Sequence, residues 1–171
     1  MKTIYLVGGP MGVGKTTACR LMKELLQNSV FLDGDWCWDA HPFWVTEETK
    51  KMVLDNICHL LNNFIHCSAY ETVIFCWVMH EQSIIDHILR TIDVGDCVVK
   101  TVSLVCEKEA LRQRLKKDVD RGIRQKDVTL RSLARLPLYR KLNTVQIDTT
   151  GMLPAEIAHK IIAADEKGAP M

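Results

Sequence analysis

The stretch Thr3-Ile4-Tyr5-Leu6-Val7-Gly8-Gly9-Pro10-Met11-Gly12-Val13-Gly14-Lys15-Thr16-Thr17 runs from an apolar, β-branched segment straight into a glycine-rich turn. Thr3 to Val7 has the composition of a strand buried on both faces. Gly9 to Thr16 then spells GxxxxGK[ST]. That spacing suits a loop whose successive backbone N–H groups converge on phosphate oxygens, because glycine leaves the backbone open to the anion and accepts positive φ. Lys15 is placed to meet the β- and γ-phosphates, and the Thr16 hydroxyl to meet Mg²⁺. Apolar positions at Ala18, Leu21, Met22, Leu25 and Leu26 make the following segment a helix, so the loop sits at a helix N-terminus, where the dipole favours anions. Strand, loop and helix in that order predict a nucleotide site made of Gly9, Met11, Gly12, Val13, Gly14, Lys15, Thr16 and Thr17.

Working outward, Val30-Phe31-Leu32 reads as a second strand that stops at Asp33-Gly34-Asp35. Ligands of a parallel α/β sheet collect beyond the carboxyl ends of the strands, so these acids should face the phosphate loop. An aromatic stretch follows, with Trp36, Trp38, Phe43 and Trp44 equally able to pack or to line a pocket. Thr46 has the chemistry of an N-cap with Glu47 and Glu48 in the first turn of a helix reaching about His66. Thr72 to Val78 is the third strand, and the isoleucine-rich face from Ile84 to Ile92 is a third helix. Val98 to Cys106 is the fourth strand, Lys108 to Asp118 a basic helix, and Asp120 to Arg124 a loop. A helix over about 130–142, a strand at Thr144 to Asp148 and a helix at Pro154 to Ala164 close the chain. Alternating β and α elements over 171 residues, without repeat or linker, predict one α/β domain.

The net charge is +1, but residues 108–141 hold twelve Lys/Arg and four Asp/Glu, against ten and seventeen elsewhere. A polyanion is therefore met by that one segment, and the acidic remainder speaks against a long nucleic acid. Seven scattered cysteines, without CxxC or paired Cys/His spacing, read as reduced thiols and not as a zinc site or a disulfide framework. No apolar run approaches the roughly 18 residues of a membrane span, and the N-terminus enters a strand directly, so a cytoplasmic protein without membrane association is expected.

With these residues in place, the chain resembles the P-loop small-molecule kinases, above all gluconate and shikimate kinases, with nucleoside monophosphate kinases and chloramphenicol phosphotransferase as cousins. The resemblance rests on Gly9 to Thr17, Phe31 to Asp35, Leu111-Arg112-Gln113-Arg114-Leu115, the arginine-bearing loop and Ile147-Asp148-Thr149-Thr150. It implies a three-layer P-loop NTPase fold, with a five-stranded parallel sheet in the order 2-3-1-4-5, helices on both faces and a lid at about 118–128. It also implies ATP and Mg²⁺ as cofactors and a small-molecule phosphoryl acceptor, in a monomer or dimer. By motif position, Asp35 holds the acceptor and takes its proton, Asp33 orients metal-bound water alongside Thr16, Arg114 stacks on adenine with Thr150 nearby, and Arg121 and Arg124 act from the lid. Two departures bear on the acceptor. His41-Pro42 comes three residues later than in gluconate kinases, and Trp77-Val78-Met79-His80-Glu81 stands where they carry a small residue and a lysine. A nucleotide or polynucleotide end kinase is the alternative reading. A GTPase-like switch ranks lower, because NKxD is absent and the single DxxG, Asp148 to Gly151, lies at the fifth strand.

Overall fold

In the computed structural model, residues 1–122 and 127–165 are described. Five strands, β1 (Thr3–Gly8), β2 (Ser29–Asp33), β3 (Thr72–Cys76), β4 (Val98–Val105) and β5 (Val145–Asp148), form one parallel sheet in the order β2-β3-β1-β4-β5. Six helices alternate with them: α1 (Lys15–Leu25), α2 (Glu47–His66), α3 (Gln82–Thr91), α4 (Lys108–Asp120), α5 (Val128–Tyr139) and α6 (Pro154–Ile162). Both the alternation and the strand order are as expected from the sequence and its resemblance.

Strand periodicity divides the core. Tyr5 and Val7 of β1 point with Ile74, Val102 and Leu104 to one face, where Met22 of α1, Leu111 of α4, Leu136 of α5 and Ile161 of α6 cover them. Ile4 and Leu6 point the other way and meet Val53 and Ile57 of α2 and Ile85 and Ile88 of α3. A central strand apolar at each position from Ile4 to Val7 is what a sheet covered on both faces requires. Helix α2 begins as the sequence suggests. Thr46 caps it by accepting from the Thr49 N–H at 3.2 Å, and the Thr49 hydroxyl oxygen accepts from the Thr46 N–H at 2.9 Å. All seven cysteines are free thiols.

Register sets the site. Val7 and Asp33 both align with Cys76 of the intervening β3, so the phosphate loop after β1 and the acidic turn after β2 emerge at the same level of the sheet. Helix α5 is tied to this edge by the Tyr139 hydroxyl, which donates to the carbonyl of Val78 in the loop after β3. Tyr139 is fully buried, and burial raises its pKa. Tyr139→Phe leaves that carbonyl without its donor and should destabilise the fold by about 1–3 kcal/mol, read as a lower midpoint in urea at unchanged slope.

Candidate active site

The phosphate loop is closed by local geometry. Gly12 has φ 82°, and a Cβ on it would stand 2.5 Å from Cδ2 of Leu115, so only glycine lets α4 pack against the loop. Gly14 precedes α1 in the left-handed region, and no side chain caps the helix. Its first turn, Lys15-Thr16-Thr17, carries no carboxylate, which leaves the positive end of the dipole for an anion. Lys15 Nζ donates to the carbonyls of Gly9 at 2.8 Å and Pro10 at 3.0 Å, which holds the ammonium over the loop.

A chain of hydrogen bonds leads from this loop to the acidic turn. The Thr16 hydroxyl donates to Oδ2 of Asp33 at 2.7 Å, and Oδ1 of Asp33 accepts from the backbone N–H of Asp35 at 3.1 Å. The second bond caps a short 3-10 turn over Gly34–Cys37. Oδ1 of Asp35 in turn accepts from the indole N–H of Trp77 at 3.1 Å. Gly34 makes that approach possible, because a Cβ there would lie 2.5 Å from the Trp77 ring. Thr16 and Asp33 thus bring a hydroxyl and a carboxylate together as hard oxygen donors, a set that suits a Mg²⁺ ion completing its shell with phosphate and water.

Arg114 reaches the loop from α4. Its guanidinium donates to the Val13 carbonyl at 3.1 Å, to the Thr149 hydroxyl at 3.1 Å and to the Thr149 carbonyl at 2.8 Å. It therefore clamps the phosphate loop to the segment after β5. Thr149 is fully buried, and its hydroxyl donates to the Val105 carbonyl at 3.1 Å. Thr150 lies one residue on, where its N–H donates to Asp148 at 2.9 Å and its hydroxyl accepts from the Glu107 N–H at 2.9 Å. Hydrogen bonds from the Thr150 hydroxyl and N–H to Asp148 hold that carboxyl below its ordinary range. The role of Thr149 is not readable from sequence, since two adjacent threonines are indistinguishable until the chain turns.

A cavity of about 630 Å³ opens between the acidic turn, the loop after β3 and α5. Asp35 and Met11 border it near the phosphate loop, Trp38, Phe43 and Trp77 form an aromatic wall, and Arg131 and Arg135 line it from α5. Of the four aromatic residues in 36–44, Trp38 and Phe43 border the cavity, whereas Trp36 packs edge-on against Phe31 and Trp44 is exposed. Arg131 and Arg135 lie one turn apart, a spacing that a solvated helical face would equally show in sequence. Arg121 is exposed at the end of α4, and Arg124 lies outside the described residues. His80 borders the cavity as well, with Nδ1 buried and unpartnered among the described residues and Nε2 3.4 Å from Glu81. Burial, with Arg135 next, lowers its pKa against the opposing pull of Glu81, so the ring is neutral at pH 7.

A family model described as an AAA domain matches residues 6–131. A comparison with curated protein sequences finds no match. Among solved structures, a gluconokinase from Sinorhizobium meliloti 1021 superposes with a TM-score of 0.70 at 20% identity, over 95% of this chain and 90% of that one. The tunicamycin resistance protein of Deinococcus radiodurans gives 0.71 at 20% identity, over 95% of both chains. A shikimate kinase from Acinetobacter baumannii, solved with shikimate, gives 0.60 at 24% identity over 95% and 91%. At these identities the shared property is the fold.

Two predictions test this geometry. Trp77→Phe keeps a ring against Gly34 but removes the donor to Asp35. It should lower kcat about tenfold, the equivalent of one hydrogen bond of ~1.4 kcal/mol, with KM for nucleotide unchanged. For His80, the unfolded chain takes up a proton near the ordinary histidine value of about 6.5 while the folded chain resists it, so stability present above that pH falls as pH drops through and below it. Thermal melts from pH 7.5 to 5.5 should show this loss, and His80→Gln should flatten it.

Proposed function

The chain belongs to the AAA-domain family of P-loop nucleotide-binding proteins, and from that premise we propose that it is an ATP-dependent phosphotransferase acting on the hydroxyl of a small molecule. The observation that carries this reading is the hydrogen-bonded run from Thr16 through Asp33 to Asp35, which ends at the mouth of a molecule-sized cavity. A nucleotide-hydrolysing switch has no use for a second carboxylate facing such a cavity, whereas transfer to an alcohol needs a place for the alcohol and a group to orient it.

In this reading the γ-phosphoryl group lies over Gly12 to Lys15, with Lys15 and Arg135 of α5 offsetting the charge spread over its equatorial oxygens. Thr16 would hold Mg²⁺ and Asp33 beside it would orient the ion's water, and the ion would supply positive charge against the phosphates. Asp35 accepts the hydrogen bond of the acceptor hydroxyl. As the acceptor oxygen bonds to the γ-phosphorus, the bond from that phosphorus to the β–γ bridging oxygen breaks, its electron pair leaves with ADP, and the hydroxyl proton passes to Asp35. The Arg114 clamp sets the loop against the segment after β5, where the base would lie, with Thr149 and Thr150 at its edge. The roles of Arg121 and Arg124 in charge neutralisation are part of the same proposal and rest on the family resemblance.

Exchange of single oxygens for nitrogen separates these duties. Asp35→Asn should lower acceptor phosphorylation by about 10²-fold, within the range of general-base catalysis, and leave ATP affinity near wild type. Asp33→Asn should instead raise the Mg²⁺ concentration needed for half-maximal rate, and Lys15→Ala should abolish turnover with the melting temperature retained. Identical behaviour of the two aspartate variants would rule out the division of labour.

A further inference from the structure

The aromatic wall of the cavity is continuous with the carboxylate at its inner end. Asp35 holds the Trp77 indole at 3.1 Å, and Trp77 meets Trp38 edge-on with ring centroids 6.2 Å apart and planes at 77°. Trp38 meets Phe43 edge-on at 4.7 Å and 67°. The rings thus step outward from Asp35 to a half-exposed Phe43, over a span longer than one six-membered ring, in a volume within the range that holds drug-sized ligands. The charges around it are largely matched to each other. Among the described residues of the lining, four carboxylates, Asp35, Asp39, Glu47 and Glu81, stand against three cations, Lys50, Arg131 and Arg135, and of these Lys50 binds Glu47 at 2.8 Å and Arg131 binds Asp127 at 3.1 Å. A carboxylate or phosphate on the acceptor would meet more anions than cations among those residues. A flat apolar body would instead displace water chiefly from the Trp38 and Phe43 rings, since Trp77 is itself buried, and gain both burial and edge-to-face contacts.

Resting on the phosphotransferase reading, we propose that the acceptor is an uncharged alcohol of at least two ring units, one of them aromatic or otherwise apolar and planar. Its hydroxyl sits at Asp35 and its second ring lies along Trp77, Trp38 and Phe43. An aryl glycoside and a nucleoside both have this chemistry, while a free monosaccharide, a small polyol and a hydroxy acid do not.

Matched pairs test the idea on the full chain: glucose against phenyl β-glucoside, ribose against uridine, and gluconate as the charged control. Binding is read by tryptophan fluorescence without nucleotide. At least one ringed member should bind tenfold or more tightly than its parent sugar and perturb the emission, gluconate should not bind, and Trp38→Ala should remove that preference with the melting temperature preserved. Equal binding of ringed and parent compounds, preference for gluconate, or an undiminished preference in Trp38→Ala would overturn the proposal. Slow ATP hydrolysis, measured separately and compared between wild type and Lys15→Ala, reports the nucleotide reading alone, so its failure is distinguishable from failure of the acceptor assignment.

Discussion

The carboxylate of Asp33 is the hinge of this molecule's chemistry, because its two oxygens face two different tasks. One accepts the Thr16 hydroxyl from the phosphate loop, and the other accepts the Asp35 N–H and so shapes the turn that presents the second carboxylate. The side chain is almost fully buried, 6% exposed, so both bonds act in a medium where an unpaired charge would be costly and a paired one is strongly directed. Its placement is a consequence of register. Three parallel strands end level, and the acid at the end of β2 reaches across β3 to the first turn of α1. The pairing therefore couples the loop that takes the nucleotide to the turn that faces the acceptor, and a shift of either would be felt by both.

The cavity walls depend on contacts of the same kind. The Tyr139 hydroxyl fixes α5 to the loop after β3, and the backbone N–H of Asn143 adds a bond to the Gln82 side chain at 2.9 Å. Arg131 and Arg135 are carried on that helix, while Trp77 and His80 are carried on that loop. Aromatic edges fill the third side. The acidic turn, α5 and the β3–α3 loop are thus tied to one another, through Trp77 to Asp35 and Tyr139 to Val78, above a tightly packed core.

Much of this was readable in the chain. A strand apolar from Ile4 to Val7 that runs into GxxxxGKT has few architectures open to it; the alternation of later segments set an α/β sheet, and its strand order came from the family resemblance. Asp33 and Asp35 were findable because the ends of parallel strands are where ligands gather. Other parts are products of contact between distant segments and leave no local trace. The clamp from Arg114 to Thr149 spans 35 residues and the bond from Trp77 to Asp35 spans 42, and neither partner is marked by spacing. The division of the aromatic stretch, with Trp38 and Phe43 at the cavity and Trp36 and Trp44 away from it, depends on a turn whose dihedral angles no periodicity encodes. Which arginines approach the cavity follows from the rotation of α5 about its axis. A helical face dense in arginine has the same sequence signature whether it meets solvent or substrate.

The central claim is that the phosphate loop and the Asp35 cavity serve one reaction, transfer of a phosphoryl group to an alcohol. Phosphorus-31 NMR of the protein with ATP, Mg²⁺ and a mixture of uncharged ringed alcohols observes that reaction directly. The account predicts a new phosphate-monoester resonance that grows in equal proportion to ADP. Growth of inorganic phosphate alone, with no ester at any acceptor concentration, would contradict it.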